Sequence, residues 1–260
     1  MDYGDSKLTY NEYLKVPDLI RLQKCLSDPQ SHDELQFIIV HQAYELWFKL
    51  VLFELDSIVS SMNAGNAKNA VWLFQRVNAI EKLLNEQIHI LETMSPFDFL
   101  RFRSKLNPAS GFQSVQFREI EFISNLKNPD LLNHLRSDPE SLARLKKRLD
   151  EPTLWDSFLK LLAKNGFQIP ADGNSEQVKA ELVRLYENSD QYFELFQLAE
   201  AMIQHDELIG LWRVHHVRMV ERMIGNKIGT GGSEGVKYLS STLLKKCFPE
   251  LWDMRTLLGS

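Results

Sequence analysis

Hydrophobic residues recur along this chain at three- and four-residue intervals, the repeat of an amphipathic helix and not the alternation of a strand. One such run covers Asp33–Met62 and stops at Asn63-Ala64-Gly65-Asn66. A second covers Ala67–Thr93 through Val71, Phe74, Val77, Ile80, Leu84, Ile88 and Leu91. Both exceed the usual helix length, which predicts a bundle of antiparallel neighbours. Ser95-Pro96 starts another helix, Asn107-Pro108-Ala109-Ser110-Gly111 breaks it, and Gln113–Leu126 forms the next. Residues 128–175 change character: Asp138-Pro139-Glu140 and Glu151-Pro152-Thr153 start two short helices, and a loop spans Asn165–Asn174. Long helical periodicity then resumes over Glu176–Arg222. The pattern predicts an all-α fold in one domain, 1–260, with 128–175 as a small peripheral helical insert.

Composition narrows the function. A hydrophobic share of 44% and a charged share of 25% suit a globular protein. The net charge of -5 argues against a nucleic-acid partner, which calls for a basic face. Cys25 and Cys247 have no spacing that would build a disulfide framework or zinc site, so a reducing compartment is expected. The start, MDYGDSKLTY, lacks the basic and then apolar pattern of a signal peptide, and no run approaches the ~18 apolar residues of a membrane span. The expected location is the cytoplasm, with no membrane association.

Two histidines sit on apolar stripes. In WRVHHVRMVERMIGNKIGTGGSEGVKY (212–238), His216 shares a face with Ile209, Trp212, Met219, Val220 and Met223. His215 instead falls with Leu208, Leu211, Arg218 and Arg222, so His216 is the expected buried imidazole. In FIIVHQAYELWFKL, His41 lies with Phe37, Tyr44 and Phe48. Buried imidazoles on two long helices suit a haem or metal as well as an ordinary core, and the residues alone leave both open. Glu86–His89 supplies one half of a di-iron motif without its second half. Among Arg101, Arg103 and Arg118, Arg103 stands near Ser110 and Gly111, a set that could clamp a carboxylate. GTGGSEG (229–235) fits neither nucleotide-binding glycine pattern and reads as a loop, with Thr230 and Ser233, able to close over a ligand. Tyr10, Tyr13 and Leu14 share one face of a first helix, whose plain reading is core packing.

Together, FIIVHQAYELWFK, NPASGFQSVQFR and WRVHHVRMVERMIGNKIGTGGSEGV closely resemble the tryptophan 2,3-dioxygenase family, over about Leu8 to Thr256. The resemblance implies an all-α protein enclosing haem b. It further implies insertion of both atoms of O2 across the indole C2–C3 bond of L-tryptophan, giving N-formyl-L-kynurenine, the first step of the kynurenine pathway. On this likeness His216 is the axial ligand of the haem iron and His41 the distal histidine facing the indole nitrogen. Phe37 packs on the indole, and Ile38, Ile39 and Val40 belong with it to a substrate-binding segment. Arg103 pairs with the substrate carboxylate, Thr230 contacts its amino-acid end, and Ser110 and Phe99 border the same pocket. Tyr10, Tyr13 and Leu14 match an N-terminal segment that completes a neighbouring subunit's site, which implies a homotetramer. Two alternatives stand beside this reading: a relative acting on a substituted tryptophan, and a sensor or electron carrier whose His41 and His216 hold one haem from both sides.

Overall fold

The computed structural model describes residues 8–135, 138–230 and 235–259, and among them every regular element is helical. Two short surface helices, α1 (Tyr10–Leu14) and α2 (Val16–Leu19), lead to the long α3 (Glu34–Asn63) and α4 (Ala67–Glu92). The turn between these two uses Gly65 at φ +85 and an Asn66 side chain that accepts from the Asn69 N–H. Next come α5 (Pro96–Arg103), α6 (Val115–Ile123), α7 (Pro139–Asp150), α8 (Leu154–Lys164) and α9 (Ser175–Glu187). The longest helix, α10 (Phe193–Ile224), precedes α11 (Val236–Ser241) and α12 (Pro249–Asp253). No helix among the described residues is long and apolar enough to cross a membrane.

The core is the three-helix unit α3–α4–α10, with α4 in the middle and Leu55, Ile58, Phe74, Val77, Leu198 and Met202 fully enclosed. Apolar packing alone would let such helices slide or rotate. Directional bonds fix them here: Tyr44 donates to the Leu84 carbonyl at 2.8 Å and Gln87 to the Val40 carbonyl at 2.9 Å, joining α3 to α4. Asn78 donates to the Ala201 carbonyl at 3.2 Å and Asn85 to the Leu208 carbonyl at 3.1 Å, joining α4 to α10. Each such bond contributes about 1 kcal/mol, and more is lost if one buried partner is stranded. Together they set the rotational phase of α3 and α10, and so the direction in which His41 and His216 point. The carboxylate of Asp206 accepts from the N–H groups of Cys247 and Phe248 and from the Trp252 indole, which seats the C-terminal segment on α10.

Four sequence expectations change. The periodic run Glu176–Arg222 is two helices, broken at residues 188–192. Apolar spacing carries across that break through Leu185, Tyr192 and Leu195 and hides it, whereas Asn188-Ser189-Asp190 is its only local sign. The helix expected from Gln113 starts at Val115, because Ser114 is the residue that caps it by accepting from the Phe117 N–H. Tyr10, Tyr13 and Leu14 are not core: the two tyrosines are both 73% exposed. Residues 128–175 also divide. Leu131, Leu135 and Leu145 form a small separate cluster with Val115 and Phe122, while α8 buries Leu154, Phe158, Leu161 and Leu162 in the main core.

Candidate functional site

Where α3 and α10 diverge above the core, they enclose a cavity of about 330 Å³, closed on its other sides by α5, the 110–118 segment, Gly229-Thr230 and α11. His41, Phe37, Phe99, Arg103, Ser110, Thr230 and His216 all line it, from separated stretches of chain. The cavity does not reach Ile38, Ile39 or Val40, nor Tyr10, Tyr13 or Leu14. Helical phase explains the first three: Val40 turns into the core and Ile39 outward, 47% exposed. Ser233 lies outside the described residues.

The two histidines face the cavity from opposite helices in different states. His216 is flanked by Trp212, whose ring stacks on the imidazole at 4.8 Å and 13° and fixes its orientation. Burial, helped by His41 and Arg118, pushes the His216 pKa down to about 4, so the ring is neutral at physiological pH. A neutral imidazole is the form that ligates a metal. His41 reaches the solvent through the cavity it lines, yet enough protein surrounds it that desolvation lowers its pKa as well. Its Nδ1 lies 2.7 Å from the Phe37 carbonyl, which can only accept. The proton therefore sits on Nδ1, and Nε2 offers a lone pair to whatever lies opposite. Phe37 covers the other face of this imidazole at 4.0 Å and, with Phe99 and Phe102, makes an aromatic wall suited to a flat ring.

The cavity roof is stitched from two segments. An Arg103 Nη2–H donates to the Ile228 carbonyl, and Thr230 Oγ1 donates to the Ala109 carbonyl at 2.8 Å. Among the described residues Arg103 pairs with no carboxylate, which leaves donors of its fork for an anion entering the cavity. Ser110 caps the 3-10 turn Gly111–Gln113 and holds its hydroxyl at the same rim.

Sequence reasoning passed over the polar end of the cavity. Arg118 pairs with Glu121 at 2.5 Å and packs over Phe112 and Phe117 at 5.6 and 5.2 Å, but its buried Nε–H has no partner. Glu121 also accepts from the buried Arg213 at 3.0 Å, and Lys245 borders the same end. Glu45, which lines the cavity one turn after His41, is held by Ser114 at 2.6 Å and Gln116 at 2.8 Å. The signals were weak but present: Arg118–Glu121 at i,i+3, and Arg213 three residues before His216.

These residues fit a haem. An apolar slot holding Ile88, Leu91, Met219 and Met223 presents one neutral imidazole for iron, and the unpartnered Arg118 N–H suits a propionate carboxylate. His89, by contrast, lies half-exposed against Glu92, away from the cavity, and no cluster of three metal-ligating side chains occurs among the described residues.

A family model described as tryptophan 2,3-dioxygenase matches residues 1–165 and 173–258. The chain is 48% identical over 256 residues to a tryptophan 2,3-dioxygenase from a Nocardioides species, covering 96% of this chain and 95% of that one. It is 44% identical over 255 residues to the Herpetosiphon aurantiacus enzyme of the same name, covering 95% and 97%. With the Caulobacter vibrioides enzyme, again of that name, identity is 40% over 261 residues, covering 96% and 98%.

Proposed function

The chain belongs to the tryptophan 2,3-dioxygenase family, and from that premise we propose how its cavity serves the dioxygenation of tryptophan. The cavity takes haem b, with His216 on the iron and Arg118 on a propionate. The observation that carries this reading is the pairing, across one apolar cavity, of a neutral His216 with a His41 whose Nε2 lone pair is turned inward. When bound, the haem supplies the iron chemistry that activates dioxygen.

This chain's own residues bind and orient the amino acid. His41 Nε2 accepts the indole N–H, and the Phe37–Phe99 wall packs on the indole face. Arg103 takes the carboxylate, while Thr230 and Ser110 contact the polar end. Fixing both ends of the substrate presents the C2–C3 bond in one pose, and orientation of this kind accounts for much of an enzymatic rate.

In the assembled protein, Tyr10, Tyr13 and Leu14 complete the site of a neighbouring subunit in a homotetramer. Their exposure supports this. So does the outward stripe Ile39, Leu46 and Phe53 on α3, spaced seven residues apart and 47%, 56% and 66% exposed. The acidic composition and unpaired cysteines suit the cytoplasm. The test of the proposed function is anaerobic reduction of the haem-loaded protein followed by L-tryptophan and O2. Appearance of N-formyl-L-kynurenine supports it, and reduced haem that consumes no tryptophan contradicts it.

A further inference from the structure

Among the described residues two carboxylates line the cavity, Glu45 and Glu121. Glu121 is neutralised between Arg118 and Arg213. Glu45 makes no ion pair with a described residue, and the dioxygenation proposed above gives it no task. It stands on the stripe Phe37, His41, Glu45 and Phe48 that α3 turns into the cavity, one helical turn beyond His41. Its oxygens accept from neutral donors on the 110–118 segment. The Ser114 hydroxyl donates to Oε1 at 2.6 Å, and the Gln116 amide donates to Oε2 at 2.8 Å. The same Gln116 nitrogen also donates to the Glu45 backbone carbonyl at 2.8 Å, so both of its N–H groups are in use. The Ser114 hydroxyl is engaged on both sides as well, because its oxygen caps α6 by accepting from the Phe117 N–H at 3.3 Å.

This arrangement calls for a carboxylate. A carboxylate accepts on both oxygens, whereas a glutamine in its place would turn N–H groups toward one of the two donors. Its charge strengthens both bonds, and it faces the positive end of the nine-residue α6. The three bonds join α3 to a segment that carries Ser110 four residues before Ser114 and Arg118 four residues after it. Ser110 stands at the rim of the cavity and Arg118 at its polar end, while Gln116 does not line the cavity at all. We propose that Glu45 is a positioning residue of this site. It clamps the start of α6 onto α3, and so holds Ser110 toward the substrate and Arg118 toward the haem carboxylate. The role rests on the dioxygenase reading; the clamp itself does not.

The two halves of the clamp give the test. In the haem-loaded protein, Glu45→Gln and Gln116→Met are each expected to raise the KM for tryptophan and the rate of haem loss together, by about fivefold. The double variant should be no worse than the more affected single one, because the same link is removed twice. An effect of Glu45→Gln that Gln116→Met does not share would show Glu45 acting directly on a ligand, and it overturns the proposal. Additive effects overturn it too. So do variants that melt earlier yet keep native KM and haem loss while folded, since Glu45 would then serve stability alone. In the haem-free protein, amide hydrogen exchange at residues 115–118 should quicken in both variants, and unchanged exchange overturns the clamp. A native protein that takes up no haem would instead overturn the functional reading and this role with it, leaving the exchange result as evidence for the clamp alone.

Discussion

His41 and His216 are the same side chain set apart by their neighbours. The Phe37 carbonyl holds a proton on His41 Nδ1, while desolvation by the surrounding protein, helped by His41 and Arg118, keeps the half-buried His216 neutral and Trp212 fixes its ring orientation. His216→Ala should therefore lose stable haem binding while keeping its helical circular dichroism. Arg103 owes its role to an unfilled fork, so Arg103→Ala should raise the KM for tryptophan on the order of 10- to 100-fold, corresponding to ~1.5–3 kcal/mol for a charge-assisted contact, with the haem spectrum unchanged. A Thr230→Val change removes a neutral hydroxyl and should cost ~1 kcal/mol, roughly fivefold in KM. Steady-state kinetics on the two variants would show whether the order of effects is right. An Arg103 variant with native KM would remove it from carboxylate recognition.

At the scale of elements, the site depends on helix phase and on one loop. Helical spacing put His216 and His215 on different faces because α10 is regular through that stretch; both are half-buried, and His216 is the one that lines the cavity. The spacing also located α3, α4 and the faces they bury, since long periodic runs average out local exceptions. It was silent on the side chain-to-backbone bonds that lock the phase, because Asn78, Asn85 and Gln87 look like surface polar residues until their partners are placed 47 to 126 residues away. It also undervalued Arg118, whose importance lies in an N–H that the fold leaves unpaired. Gly235 shows what the loop requires. It has φ +60, and a Cβ there would stand 2.6 Å from the Lys227 carbonyl oxygen. Gly235→Ala should destabilise by about 1–3 kcal/mol and displace the strap carrying Thr230. The expected result is a higher KM for tryptophan with haem binding retained. Unchanged kinetics and melting would show that the loop geometry is not needed.

For the whole molecule, the depressed His216 pKa becomes a stability statement. Its ordinary value of 6.5 in the unfolded chain lies above the folded value of about 4, so the unfolded state takes up a proton that the folded state refuses. The contribution is intact above pH 6.5 and lost as pH falls toward 4. His41, lowered in the same direction, adds to it. The haem-free protein should lose on the order of 2 kcal/mol from His216 between pH 7 and pH 5, measured by urea unfolding, and His216→Gln should flatten that part of the curve. An equal pH dependence in the variant would contradict the assignment. Assembly is tested separately: Tyr10→Ser with Tyr13→Ser should leave helical content intact yet weaken tryptophan binding, if the arm serves a neighbour.

The most direct test of the central claim, that this cavity holds haem on His216, is a haem titration of the metal-free protein followed by absorption. The native chain should saturate at one haem per subunit, His215→Ala should do the same, and His216→Ala should show no stable complex. Saturation of His216→Ala at the native stoichiometry and affinity would contradict the account.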